Sequence, residues 1–178
     1  MIKKMIRFVK KKIGCRINPV KYYRSIGVKI GEGTRIYTSE TDIFSSEPWV
    51  VSIGKNCHIT AGCKFLTHDG GTLILDKNEG GSHVLVGDIV VGDNVYIGLR
   101  SIIMPGITIG NNVIIGAGSI VTKNIPDNSV VAGVPARVIS TKEDYSNKVL
   151  RVINGEDDRY YQDLEYMHSK NPKRKKSK

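Results

Sequence analysis

The chain has few cysteines and no long apolar run. Its 178 residues include three cysteines, Cys15, Cys57 and Cys63, and an odd number with no spaced framework argues against a disulfide-stabilised secreted fold. No apolar stretch is long enough for a signal peptide or a membrane span. These absences favour a protein of the reducing cytoplasm, and the length predicts a single domain.

Acidic residues are absent from both ends of the chain, where basic residues are concentrated. Residues 1–16 carry seven of the 27 Lys and Arg side chains, and residues 168–178 carry six. The fourteen remaining basic residues lie among all 17 acidic ones, so the central part has a net charge of about −3, against +10 for the whole chain. The sequence also lacks the interleaved basic and aromatic residues of a nucleic-acid-binding sheet, so we predict no nucleic-acid partner.

What the sequence does contain is a period of six residues. Between positions 91 and 126 an aliphatic residue returns at every sixth position, and small or branched residues fill the fifth position of each unit. This period matches neither an α-helix nor an ordinary strand, but it fits a triangular coil whose sides are short strands. We therefore predict an all-β solenoid in which residues eighteen apart stack. The aliphatic positions are Val91, Ile97, Ile103, Ile109, Ile115 and Val121.

The same phase occurs earlier in the chain and is interrupted once. A run at Ile53, Ile59 and Phe65 places two of the cysteines in the inward fifth position, which favours a structural role for their thiols. Residues 66–90 then break the phase and include His68. A long excursion from a compact solenoid is typical of a functional loop.

Helical patterns flank the predicted coil. The N-terminal segment has apolar residues on one face and lysines on the other, so it is expected to cap the coil or, through residues 1–14, to contact an anionic membrane surface. A capping box that begins at Ser140 or Thr141 predicts a C-terminal helix. The predicted segments are a basic amphipathic helix (1–16), the solenoid domain (17–137, with its loop at 66–90), a helical extension (138–167) and a basic disordered tail (168–178).

Several strings between Gly31 and Arg137 resemble the hexapeptide-repeat, left-handed β-helix acyltransferases that use acetyl-coenzyme A. Four of them are typical of the branch with galactoside, maltose, serine and streptogramin O-acetyltransferases: VGDNVYIG at 91–98, IMPGITIG at 103–110, GAGSIVTK at 116–123 and VAGVPAR at 131–137. Two more, SEPW at 46–49 and FLTHDGG at 65–71, are most similar to acetyltransferases of surface-polysaccharide pathways. The resemblance implies a left-handed parallel β-helix, acetyl-CoA as cosubstrate without a metal, and a homotrimer with the acetyl donor between two subunits.

Transfer of an acetyl group from a thioester to a hydroxyl requires a base, an oxyanion donor and close placement of the substrates. His68 is the predicted base, because an imidazole titrates near neutral pH and the family places its catalytic histidine at the matching point. Glu47 and Asp69 are equal candidates for the group that fixes the tautomer of His68, and either can bind a sugar hydroxyl instead. The backbone N–H of Gly98 or Leu99 is the predicted oxyanion donor.

The resemblance also implies which residues bind the coenzyme. Backbone groups at stacked corners would line the pantetheine arm, and basic side chains would meet the phosphates. Leucine stands at position 99, where relatives often carry Ser or Ala. The implied cofactor-binding residues are Gly98, Leu99, Gly116, Ala117, Thr122, Lys123 and Arg137.

The resulting hypothesis is direct attack of a sugar or glycan hydroxyl on acetyl-CoA in a ternary complex, in the cytoplasm or at the inner face of the membrane. Three alternatives stay open. The acceptor can be a small molecule, such as an antibiotic or an amino sugar. A metal enzyme of the γ-carbonic anhydrase type would need three converging histidines, for which His58, His68 and His83 are available at a spacing unlike that family's. The third is a non-catalytic scaffold at a membrane.

Overall fold

The computed structural model describes residues 13–81 and 83–156. The chain divides into two compact units, Met1–Lys142 and Glu143–Lys178. Of the predicted N-terminal helix, only the last turn lies in the described ranges, where residues 13–17 are helical. The last part of the predicted helical extension, from residue 157, and the basic tail lie outside them.

The first unit is a three-sided coil of short parallel strands. Each side of the coil is one sheet, and successive turns add one strand to each sheet. Sheet A contains β1 (Lys29–Ile30), β3 (Val51–Ile53), β8 (Ile89–Val91) and β11 (Thr108–Ile109). Sheet B contains β2 (Arg35–Ile36), β4 (His58–Ile59), β9 (Tyr96–Ile97), β12 (Ile114–Ile115), β14 (Ser129–Gly133) and β15 (Ala136–Thr141). Sheet C contains β5 (Lys64–Phe65), β10 (Ile102–Ile103) and β13 (Ile120–Val121).

The predicted stacking at intervals of eighteen residues is confirmed by the strand register. Ile97 pairs with Ile115, and Ile103 pairs with Val121. All four side chains are at most 1% exposed and form continuous aliphatic columns inside the coil. Each such burial contributes roughly 1.5–3 kcal/mol relative to exposure, so stability grows turn by turn.

The cysteines occupy the interior, as the repeat predicts for two of them. Cys57 and Cys63 are fully buried, and their thiols lie within hydrogen-bond distance of backbone carbonyl oxygens of the next turn. Burial raises the pKa of both thiols, which keeps them protonated and poorly nucleophilic. Cys15 is also buried, beside Tyr23 of the helix α1 (Pro19–Ser25).

The end of the coil differs from the prediction. The helical extension is predicted from 138 onward, but β15 continues through Thr141 and pairs antiparallel with β14. The capping box predicts a helix start at Ser140 or Thr141, and Thr141 is the residue directly before the observed helix. The helix α2 begins only at Lys142 and ends at Ile153. The strand is favoured because it pairs the open edge of β14, whose backbone N–H and C=O groups would otherwise have no strand beside them.

The second unit contains most of α2, which has no buried residue. Across the described ranges, no helix is long and apolar enough to cross a membrane.

Candidate active site

The phase break at 66–90 is a loop that leaves the coil at the corner between sheets C and A. Its base is a two-stranded antiparallel ribbon of β6 (His68–Asp69) and β7 (Leu85–Val86), in which His68 lies opposite Val86. The N–H of Gly87 donates to the carbonyl of Thr67 at 2.9 Å. The ribbon thus fixes the backbone of His68 at the edge of the coil. Two 3₁₀ turns, Gly71–Ile74 and Lys77–Glu79, occupy the rest of the loop.

Glu47 is the partner of His68. Nδ1 of His68 lies 2.8 Å from Oε2 of Glu47, and the hydroxyl of Thr67 donates to the same oxygen at 2.5 Å. The hydrogen bond from Thr67, and then that from His68, lowers the pKa of Glu47, so its carboxylate is ionised at neutral pH and only accepts hydrogen bonds. Nδ1 of His68 therefore carries its proton. Nε2, which has no hydrogen bond to any described residue, is left to accept one.

Asp69 does not fix His68, and that half of the prediction is wrong. The Asp69 side chain turns back on its own loop, where Oδ1 accepts a hydrogen bond from the N–H of Gly71 at 2.8 Å. Adjacent residues of a strand face opposite sides, so its carboxylate points away from the imidazole. Asp69 stays a candidate for binding the acceptor.

The spacing of two stacked phenylalanines in the sequence indicates that Glu47, and not Asp69, lies beside His68. The rings of Phe44 and Phe65 pack 4.7 Å apart in successive turns, and the two residues are 21 positions apart, as are Glu47 and His68. The first turn is therefore longer than the regular eighteen residues, by five at the paired strands of sheets A and B and by three at this corner, and the offset of 21 places Glu47 beside His68. Thr67, which completes the hydrogen-bond chain, was not among the predicted residues.

A groove of about 400 Å³ runs beside the loop base, along the corner that follows sheet C. Its walls are mostly apolar, with one carboxylate and one hydroxyl among them. It brings Thr122, one of the implied coenzyme-binding residues, to the same corner as the ribbon that carries His68. The lining residues are Asp69, Leu85, Val86, Gly87, Met104, Pro105, Gly106 and Thr122.

The predicted pantetheine residues lie at a different corner of the coil, before sheet C. Gly98 is one of them, and a Cβ atom there would lie 2.5 Å from the backbone nitrogen of Ala117. The glycine is thus required by close stacking of two turns. Its N–H already donates to the carbonyl of Ile115 at 2.8 Å. Of the two predicted oxyanion donors, Leu99 is left, since its N–H has no hydrogen bond within the described ranges.

One chain does not bring all the predicted site residues together. Thr122 and Lys123 follow β13 and share the corner of His68, whereas Gly116 and Ala117 precede the same strand. Arg137 belongs to the second group, because it pairs with Ala132, against which Gly116 packs. One side of the triangle separates the two groups. Lys123 and Arg137 are exposed, and neither forms an ion pair with another described residue.

The other described histidines have separate partners. His58 stacks on Tyr37, with ring centroids 5.8 Å apart, and its Nδ1 lies 2.7 Å from the tyrosine hydroxyl. Nε2 of His83 lies 2.7 Å from the carbonyl of Gly80. Within residues 13–81 and 83–156, no group of three His, Cys, Asp or Glu side chains could hold a metal ion.

The fold and the site together define a class of protein. It is a coil of six-residue repeats with a histidine, hydrogen-bonded to a carboxylate, at the point where a loop leaves the coil. A family model, the hexapeptide repeat of succinyl-transferase, matches residues 88–123. The chain is 46% identical over 130 residues to Protein CapG of Staphylococcus aureus, an alignment that covers 71% of this chain and 73% of that protein. The chain belongs to the hexapeptide-repeat acetyltransferase family, whose fold is the left-handed parallel β-helix.

Two further relatives differ in the atom that their names say is acetylated. The galactoside O-acetyltransferase of Escherichia coli is 36% identical over 145 residues, which cover 82% of this chain and 64% of that protein. A 2,3,4,5-tetrahydropyridine-2,6-dicarboxylate N-acetyltransferase of Halalkalibacterium halodurans is 46% identical over 88 residues, which cover 49% of this chain and 32% of that protein. The chain thus spans less than two thirds of either protein. Family membership leaves open whether the acceptor atom is oxygen or nitrogen.

Proposed function

We propose that the chain transfers the acetyl group of acetyl-CoA to a hydroxyl of a sugar or glycan. The observation that carries this proposal is the pair formed by His68 and Glu47. An imidazole whose Nδ1 proton is held by an ionised carboxylate presents a basic Nε2. Its position at the base of the loop 66–90 suits an incoming hydroxyl.

In the proposed reaction Nε2 of His68 takes the hydroxyl proton while the oxygen attacks the thioester carbonyl. The carbon–sulfur bond then breaks, and the imidazolium returns the proton to the leaving thiolate. Glu47 stabilises the imidazolium between these two steps, as a carboxylate does in related triads. The buried cysteines have raised pKa values, so we propose direct transfer without an acetyl-enzyme.

The remaining parts of the site come from a neighbouring subunit in this proposal. His68 and Lys123 lie at one corner of the coil, and Leu99 and Ala117 lie at another, so a homotrimer would place the first corner of one chain against the second corner of the next. The free N–H of Leu99 would then stabilise the oxyanion. The exposed cations of Lys123 and Arg137 suit the phosphates of coenzyme A.

The acceptor is proposed to enter the groove at the loop base. The exposed carboxylate of Asp69 is available to accept hydrogen bonds from sugar hydroxyls, and the apolar groove wall suits the carbon face of a sugar ring. The named activity of the galactoside O-acetyltransferase supports a sugar acceptor. We place the reaction in the cytoplasm; the proposed contact of residues 1–14 with an anionic membrane lies almost entirely outside the described residues.

The second candidate function is N-acetylation of an amino sugar or another small amine, supported by the named N-acetyltransferase relative. One experiment separates the two. The protein is incubated with acetyl-CoA and a panel of galactosides, maltose, amino sugars and serine, and both thiol release and the mass of each acceptor are followed. An ester product is cleaved by mild base, whereas an amide product is not. Acetylation of amines alone would replace the O-acetyltransferase proposal, and thiol release no faster than in the absence of protein would overturn both.

A further inference from the structure

We propose that Thr67 is a positioning residue for acetyl transfer, because its hydroxyl holds the Glu47 carboxylate in the orientation that His68 requires. This inference rests on the proposed function and adds to it a third residue, one that does not touch the substrates.

The geometry joins the three side chains through one atom. Oε2 of Glu47 accepts from the Thr67 hydroxyl at 2.5 Å and from Nδ1 of His68 at 2.8 Å. Two donors on one oxygen fix the rotation of the carboxylate about its last side-chain bond, which is otherwise a soft torsion. The long glutamate side chain is thereby held in one arrangement against His68, although it reaches across from the preceding turn.

Thr67 differs from the other buried hydroxyl residues of the coil in its partner. Thr34, Ser101, Ser119 and Ser129 all donate to backbone carbonyl oxygens, which satisfies the hydroxyl locally. Thr67 is fully buried and donates instead to an ionised side chain. A valine would fill this position without the cost of burying a polar group, so the hydroxyl serves its acidic partner and is not needed for packing.

The Thr67 hydroxyl also acts on the charge of Glu47. Its hydrogen bond makes the largest contribution to the lowered pKa of that carboxyl, because a donor stabilises the ionised form. The backbone carbonyl of Thr67 separately accepts from Gly87 at the loop base. Substitution of the side chain therefore leaves this second anchor in place.

The test compares Thr67→Val, which keeps the shape and removes the donor, with Thr67→Ser, which keeps the donor. We expect Thr67→Val to lower kcat by about tenfold or more, the scale of a hydrogen bond to a charged group, with the KM for acetyl-CoA unchanged. Thr67→Ser should stay within about twofold of the unsubstituted protein. In carbon NMR of labelled glutamate, the titration midpoint of Glu47 should rise in the valine variant and return in the serine variant.

Nitrogen NMR of His68 supplies a readout that needs no acceptor. The unsubstituted protein should show the Nδ1-protonated tautomer, and Thr67→Val should show a mixture of both tautomers. If the protein acetylates no acceptor, the proposed function fails. The titration midpoint of Glu47 and the tautomer of His68 still decide the role of Thr67. An unchanged Glu47 midpoint together with an unchanged tautomer in Thr67→Val would overturn the inference, as would a serine variant that behaves like valine. Thr67→Ala replaces the valine variant if the latter does not fold.

Discussion

At the scale of single residues, the two histidines of the coil have different surroundings and should differ in function. His68 has a carboxylate on Nδ1 and an unoccupied Nε2, whereas His58 is stacked on Tyr37 on the outer face of sheet B. We predict that His68→Ala lowers kcat by roughly 10²–10⁴-fold, the usual contribution of a positioned base. Coenzyme A binding, measured by calorimetry, should not change, because the imidazole acts on the acceptor.

His58→Ala is the matched control for this substitution. It removes an imidazole from sheet B without touching the corner of the loop, so the rate should stay near that of the unsubstituted protein. Equal losses in the two variants would show that His68 has no special role.

The charge of Glu47 predicts a dependence of stability on pH. Hydrogen bonds from Thr67 and His68 lower the pKa of Glu47 below its ordinary value of 4.5 in the folded chain. A carboxyl with a lowered folded pKa stabilises the fold above its unfolded pKa, and this contribution disappears as the pH falls through the folded pKa. Glu47→Gln should therefore lower the Tm at pH 7, and the difference in Tm should vanish in strong acid.

Asp69→Asn provides the comparison for Glu47→Gln. Asp69 is exposed and has only a local hydrogen bond to Gly71, so its amide variant should change the Tm at pH 7 less than Glu47→Gln does. A Tm difference for Glu47→Gln that is the same at pH 7 and in strong acid would contradict the electrostatic explanation.

At the scale of the strand, the coil depends on stacked columns of buried aliphatic side chains, in which a charged side chain has no partner. Ile109 is 1% exposed and stacks on Val91, while its neighbour Thr108 faces outward. We predict that Ile109→Asp prevents folding, because an unpaired carboxylate would enter the aliphatic interior. Thr108→Asp should fold and melt within a few degrees of the unsubstituted protein. Circular dichroism and thermal melting distinguish the two, and a folded Ile109→Asp variant would contradict the packing scheme.

The regular strands could be predicted from sequence because each buried position is set by contacts one turn away. The period of six records those contacts directly. The strand β15 could not be predicted in the same way, since it lies outside the six-residue repeat and its pairing depends on the open edge of β14. The partner of His68 was left undecided for a related reason. Because the first turn is irregular, a spacing of eighteen residues does not pair Glu47 with His68. The pairing becomes visible only when Phe44 is stacked on Phe65.

At the scale of the whole molecule, our proposal takes the two corners of the site from different chains of a trimer. His68 lies at the corner after sheet C, and Ala117 lies at the corner before it. Two chains that are each substituted at a different corner should therefore complement each other within one trimer. We predict that His68→Ala and Ala117→Trp are each inactive alone, the second because a bulky exposed side chain would block the thioester. Co-expressed trimers that contain both chains should recover about one third of the unsubstituted activity, since in either mixed composition one of the three interfaces joins the two intact corners.

The mixed assembly is purified through two different affinity tags, so that every particle contains both chains, and its rate is compared with that of each variant alone. Light scattering of the unsubstituted protein supplies the mass of the assembly. Recovery of activity requires that the intact His68 of one chain meets the intact corner of another. If the mixture stays as inactive as its components while its mass is that of a trimer, the two corners do not share a site, and the thioester must bind within the groove of a single chain.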